Sequence, residues 1–196
     1  PIQDTGGGLV DVNMSARYDF VGAGEHELLT EIAALAGLTA PSGRPPETSA
    51  RPLASDATGA GAFQVNLGVA LEQNFGAWLV NLSGLVALRT QRQVNGLTSQ
   101  LGPQFTALAA VGYTFENDAA LVLSANYAAE TDAFINGARV ARSARAATTL
   151  GVTGTLPLGD AWRLQGGVSW VLPVPGLGQN QTSGPGLTVT LLRAWL

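Results

Sequence analysis

The chain has 196 residues, with 12 % charged, 25 glycines, no cysteine and a net charge of −4. Without cysteine there is no disulfide, no thiol nucleophile and no thiolate metal site, and the acidic balance argues against a nucleic-acid surface. The charged share is about half the roughly 25 % of a soluble domain, yet no stretch of about 18 apolar residues offers a transmembrane helix.

Low charge without a long apolar run is what alternation produces. The first predicted strand, 9–21, places Val10, Val12, Met14, Ala16, Tyr18 and Phe20 on one face, and Asp11, Asn13, Ser15, Arg17 and Asp19 on the other. The second, 62–73, contains Phe63, Val65, Leu67, Val69 and Leu71 opposite Gln64, Asn66, Gly68, Ala70 and Glu72. This is the period-2 signature of a strand with one apolar and one polar side. It returns from 77 onward (Trp78, Val80, Leu82 against Asn81, Ser83, Arg89), over 105–115, from 120 onward, over 147–158, over 162–172 and over 186–196. Each segment is long enough for the 9–11 tilted residues that cross a bilayer.

The faces are defined by their apolar residues, so the charges test them. Asp11, Arg17, Asp19, Glu72, Arg89 and Arg163 fall on the polar face; Arg193 falls on the apolar face, near a strand end. A charge on the lipid side at mid-bilayer costs about 2–4 kcal/mol, which accounts for the asymmetry.

The connections alternate in length. Phe75-Gly76, Glu116-Asn117-Asp118 and Leu158-Gly159-Asp160 read as tight turns, separated by longer loops. Outer-membrane barrels have short periplasmic turns and longer external loops. The expectation is an all-β fold: an eight-stranded antiparallel up-and-down transmembrane β-barrel. A periplasmic tail over 1–8, with Gly6-Gly7-Gly8 as a flexible entry, precedes a barrel over 9–196. Both ends of the barrel are expected on the periplasmic side, and the leaderless start at Pro1 suits a mature exported chain. Aromatic girdles are expected from Trp78, Phe115, Trp162 and Trp195 at the turn side, and from Phe20, Phe63, Phe105 and Trp170 at the loop side.

The connection over 22–61 is the longest. Leu28, Leu29, Ile32 and Leu35 follow helical spacing and Gly37 suits a helix stop, so a short amphipathic helix is expected over 25–37. Pro41, Pro45, Pro46 and Pro52 follow in an irregular stretch.

With strands, turns and loops on the page, the chain resembles the small eight-stranded outer-membrane barrels typified by OmpA and OmpX. The resemblance covers most of 9–196. It rests on the strand pattern, the alternation of connections and the final alternating strand Leu187-Thr188-Val189-Thr190-Leu191-Leu192-Arg193-Ala194-Trp195-Leu196, which is similar to a barrel-assembly signal although its aromatic is penultimate. It implies residence in the bacterial outer membrane. A lipocalin-type soluble barrel would turn the apolar face inward, where an eight-stranded interior is too narrow for so many large side chains. A fragment of a larger porin-like barrel would show the same alternation.

Inside such a barrel, Asp11, Arg17, Asp19, Glu72, Arg89 and Arg163 would form a polar network, pairing as a plug or gating a narrow pore. Arg139, Arg142 and Arg145 lie at three-residue spacing in an external loop and would meet lipopolysaccharide phosphates or a partner. Catalysis has little support: His26 is the single histidine, Glu25 and Glu27 beside it give no metal-ligand spacing, and no Gly-x-Ser-x-Gly elbow occurs. No cofactor, metal or catalytic residue is expected. The leading functional expectation is a structural or interaction barrel contacting lipid, lipopolysaccharide and other envelope proteins through its loops; the alternative is a small-solute transporter or channel, as part of a larger barrel or oligomer.

Overall fold

The computed structural model describes residues 6–20, 31–51, 54–159, 161–172, 176, 178–181 and 183–193. Nine long strands form one antiparallel sheet. In chain order they are β1 (Val12–Phe20), β2 (Glu31–Ala40), β3 (Gln64–Phe75), β4 (Trp78–Arg89), β7 (Gln104–Thr114), β8 (Ala120–Glu130), β11 (Arg145–Pro157), β12 (Trp162–Leu172) and β13 (Gly184–Arg193), each paired with the next. Among the described residues the sheet is not closed, and β1 and β13 are its edges. Four short strands at one end make a second sheet in the order β10-β9-β6-β5: β5 (Arg92–Val94), β6 (Leu97–Gln100), β9 (Phe134–Ile135) and β10 (Ala138–Arg139). A 3-10 turn spans Pro46–Thr48, and no described helix is long and apolar enough to cross a membrane, which says nothing of strands.

The sheet is turned inside out relative to a water-soluble protein. Among the described residues no large side chain is fully buried, and the buried apolar residues are all alanines: Ala33, Ala62, Ala70, Ala87 and Ala119. The large aliphatics stand outward, with Leu67, Val69, Leu123 and Val168 each more than half exposed. Patches of this extent are not left to water by soluble monomers.

Crowding shows which face is concave. A Cβ added at Gly151, Gly167 or Gly186, all on the polar face, would lie 2.7–2.8 Å from Ser124, Thr153 or Ser169 hydroxyl oxygens. At Gly84, Gly154 or Gly166, on the apolar face, it would meet nothing closer than 3.9 Å. The polar side is therefore the inside of the curve, as the sequence predicts, and Val65, Leu67 and Val69 point out.

The predicted helix is corrected. Residues 31–37 belong to β2, while 25–30 lie outside the described residues. Ile32, Ala34, Ala36 and Leu38 pair across with Phe20, Tyr18, Ala16 and Met14 of β1, and with Leu71, Val69, Leu67 and Val65 of β3. An apolar row on both neighbours selects the extended form, and a strand satisfies its backbone groups from both sides. The 22–61 segment is therefore not one loop, and among the described residues the long sheet has nine strands where eight are expected.

This extra strand reverses β1. The β1 end at Phe20 lies beside Ile32, at the same end of the sheet as the tight β3–β4 turn. Phe20 thus belongs to the turn end and not the loop end. Residues 6–11 lie at the loop end against 42–60: Ser42 Oγ donates to the Val10 carbonyl at 3.0 Å, and Thr58 Oγ1 to the Leu9 carbonyl at 2.5 Å. This corrects the expected placement of the N-terminal segment at the turn end. At that end Tyr113 stacks edge-on with Trp78 and with Phe115, each at 4.9 Å, and Arg193 lies 5.2 Å over the Trp162 ring.

Candidate functional site

The concave face carries two charged belts with a neutral band between them. At the turn end, Arg17 of β1 reaches across β2 to β3. Its Nη1 and Nη2 donate to Glu72 at 3.0 and 2.7 Å, its Nε to Asp19 at 2.6 Å, and Nη2 also to Glu31 of β2 at 2.9 Å. Asn81 Nδ2 of β4 donates to Glu72 at 2.7 Å. A planar guanidinium with five donors can serve three carboxylates at once. One cation among three anions leaves this belt acidic.

At the loop end, Arg89 closes β4 and Glu130 closes β8. They form an ion pair across β7, with side chains only 9 % and 13 % exposed. Arg89 also donates to Gln64 Oε1 at 2.7 Å and to Gln104, the first residues of β3 and β7. Gln64 Nε2 passes the chain on to Asn66 at 2.7 Å. Above this belt, Arg92 of β5 pairs with Glu47 at 2.5 Å, tying the 41–63 loop to the β5–β6 hairpin. Asn95-Gly96 and Asn136-Gly137 turn the two small hairpins with positive φ at both positions, the conformation these residues tolerate best.

Two loop carboxylates complete the mouth. Asp56 is buried and accepts from Ser49 Oγ, from the Ala50 N–H at 3.2 Å and from Arg44 at 2.5 Å. The Ser49 hydroxyl, the Ala50 amide and Arg44 hold its carboxyl well below the usual range. Asp132 accepts from the Ala144 N–H at 2.7 Å and from Arg139 at 2.7 Å, and those two contacts, the amide first, likewise lower it.

The predicted network is thus assembled in part. Arg17, Asp19 and Glu72 meet, joined by Glu31, which the helical reading of β2 hid. Arg89 meets Glu130, Gln64 and Gln104, none of which stood out from other polar-face residues. Asp11 joins neither belt; it accepts from the Gly43 and Ala60 N–H groups at 2.8 and 2.9 Å and shapes the long loop. Arg163 is exposed and makes no ion pair among the described residues. Arg139 is held by Asp132, Arg142 sits in a turn with φ of 66°, and Arg145 begins β11. His26 lies outside the described residues.

On the outer face a shallow apolar depression of about 1130 Å³ runs over Leu82, Ala109, Leu123, Leu150 and Val168. It contains no charged group and lies where lipid chains would pack, so the chemistry of the molecule is on the other side.

A family model described as putative MetA-pathway of phenol degradation matches residues 2–189. Among solved structures, an outer membrane channel from Pseudomonas putida F1 is similar in fold, with a TM-score of 0.71 at 18 % identity over 95 % of this chain and 65 % of that one. The chain thus spans about 65 % of that channel's length. No curated protein matches. These findings agree with an outer-membrane type of barrel and do not support the OmpA/OmpX-like subgroup.

Proposed function

The chain belongs to the family described as putative MetA-pathway of phenol degradation, and from that membership and its inside-out sheet we propose that it forms an outer-membrane β-barrel channel for small solutes. The observation that carries this reading is the polar concave face: ionised groups line the inside in two belts while aliphatic side chains cover the outside. The fold shared with an outer membrane channel supports it. Small residues between the belts (Gly37, Gly68, Ala70, Ser83, Ala110, Ser124) leave space that bulky ones would fill.

Closure by further strands is part of the proposal. Hydrocarbon does not tolerate an open sheet edge, and single-chain bacterial barrels of this type have an even strand count. The edges of β1 and β13, unpaired among the described residues, would be met by further strands or a second copy, giving a wider barrel than eight strands enclose.

The test is single-channel recording in planar bilayers. Discrete current steps are expected. A folded, inserted protein that leaves the bilayer silent refutes the channel. The loop-contact reading retains one feature: Arg142 and Arg145 are exposed at the loop end and suit anionic headgroups. Replacing both with Gln then lowers the lipopolysaccharide that co-purifies, and unchanged retention removes that contact.

A further inference from the structure

Across the sheet from the acidic belt, the concave face changes its chemistry. One register row runs from Glu31 and Glu72 through Asn81 and Ala110 to Ser124, Gly151 and Ser169. Gly151 lies between Ser124 and Ser169, and in the next inward-facing row Gly167 lies between Thr153 and Thr188. A Cβ at Gly151 would sit 2.8 Å from Ser124 Oγ, and one at Gly167 2.8 Å from Thr153 Oγ1. Each hydroxyl therefore leans over the glycine of the next strand. The two glycines floor a hollow of about 190 Å³, walled by these hydroxyls and by Gln165. The four strands that build it all belong to the described sheet, so it does not depend on what meets the sheet edges.

Among the described residues, the side chains of Ser124, Thr153, Gln165, Ser169 and Thr188 have no hydrogen-bond partner. Rotating hydroxyls and a carboxamide can all turn donors towards one acceptor. Arg163 lies on the same face of β12, two residues or about 7 Å from Gln165. Its register neighbours are Pro157 and Leu192, whose side chains accept nothing. β11, β12 and β13 contain no aspartate or glutamate; their charged residues are Arg145, Arg163 and Arg193. Unspent donors beside such a cation suit a negative charge. A cation would find no anionic ligand there, and a neutral solute would leave Arg163 unused. The hollow holds about six times the roughly 30 Å³ share of one water, so its occupant is small.

We propose that this hollow binds a small oxyanion, a carboxylate or a phosphate, on the cationic side of the channel. Thr153, Thr188 and Gln165 donate to its oxygens, and Arg163 reaches over it from the turn end. Asp19, Glu31 and Glu72, on β1–β3, repel the same anion and keep it on this side. The inference rests on the channel reading and adds to it a place and a ligand charge.

The experiment is binding read by fluorine NMR on the protein in lipid nanodiscs, with trifluoroacetate and trifluoroethanol as probes that differ in charge and little in size. Wild type binds trifluoroacetate more tightly, and acetate or inorganic phosphate displaces it; the stronger competitor tells which oxyanion the hollow favours. Thr153→Val removes one donor at constant shape, and Arg163→Gln removes the charge. Each weakens trifluoroacetate about tenfold, the worth of one hydrogen bond to a charged group, while trifluoroethanol is unchanged in Arg163→Gln. Thr149→Val, on the same face but outside the hollow, leaves both probes unchanged and guards against a general fold defect. Equal affinity of wild type for the two probes, no displacement by either competitor, an unchanged trifluoroacetate affinity in Thr153→Val or Arg163→Gln, or an equal loss in Thr149→Val overturns the site. Because binding is read without current, a silent bilayer refutes only the channel, and conduction without variant-dependent binding refutes only the anion site.

Discussion

Removing Arg89 probes the loop-end belt most sharply. Its guanidinium serves Glu130, Gln64 and Gln104 together, and both ionised side chains are less than one-seventh exposed. Arg89→Ala leaves Glu130 as an uncompensated charge in a poorly hydrated place. Breaking one side of such a pair costs about 3–5 kcal/mol, most of it the stranded partner. Glu130→Ala strands Arg89 in the same way but leaves it two amide oxygens, so its cost falls at or below the lower figure. The double variant strands no charge, and the two single costs then overshoot it by about 2–3 kcal/mol. Urea unfolding in lipid vesicles, followed by tryptophan fluorescence and by heat-modifiable gel migration, measures all three. Single costs that add to the double cost within about 0.5 kcal/mol would show that the pair does not hold the belt together.

The lipid face is tested by charge. Leu67→Arg on the outer row is expected to cost about 2–4 kcal/mol in bilayers, whereas Asn66→Arg, one residue away on the inner face, costs far less; equal losses would contradict the assignment of faces. The loop carboxylates set a pH dependence. Asp56 and Asp132 have folded-state values below their ordinary ones, so their stabilisation is complete above about pH 4 and is lost as pH falls through the depressed values. Hydrogen exchange at the Ala50 and Ala144 amides, corrected for intrinsic rates, should hold steady from pH 7 to about 4.5 and rise only under stronger acid. Loss of protection near pH 5 would refute the account, and Asp132→Ala, which removes the acceptor of the Ala144 N–H, should expose Ala144 even at neutral pH.

Most of the sheet was legible because lipid and lumen impose opposite demands on adjacent residues. Phe63 to Leu71 alternates without interruption, and the strand at Gln64–Phe75 follows it. Glu31–Ala40 escaped because alanines occupy both faces and Leu35 faces inward, so Leu28, Leu29, Ile32 and Leu35 mimicked a helical stripe. What decided the strand was the apolar row on its two neighbours, information that sits elsewhere in the chain. The same miss reversed β1 and moved Phe20 to the other end. The small second sheet had a local signal, the Asn-Gly turns at 95–96 and 136–137, which marks hairpins even where the strands are only two to four residues long. In the site, Arg17 and Glu72 could be grouped by parity alone, but Asp11 and Arg163 share that parity and pair with neither belt. Parity gives the face of a residue, and only register gives its neighbours.

The central claim is that hydrocarbon meets the aliphatic face while water meets the polar one. The chain has no cysteine, so single substitutions Val65→Cys, Asn66→Cys, Leu67→Cys, Gly68→Cys, Val69→Cys and Ala70→Cys can be labelled one at a time in lipid vesicles. The odd positions should be quenched by brominated lipid and resist a charged aqueous thiol reagent, and the even positions should do the reverse. Aqueous labelling at Leu67→Cys and Val69→Cys, with lipid quenching at Asn66→Cys, would contradict it.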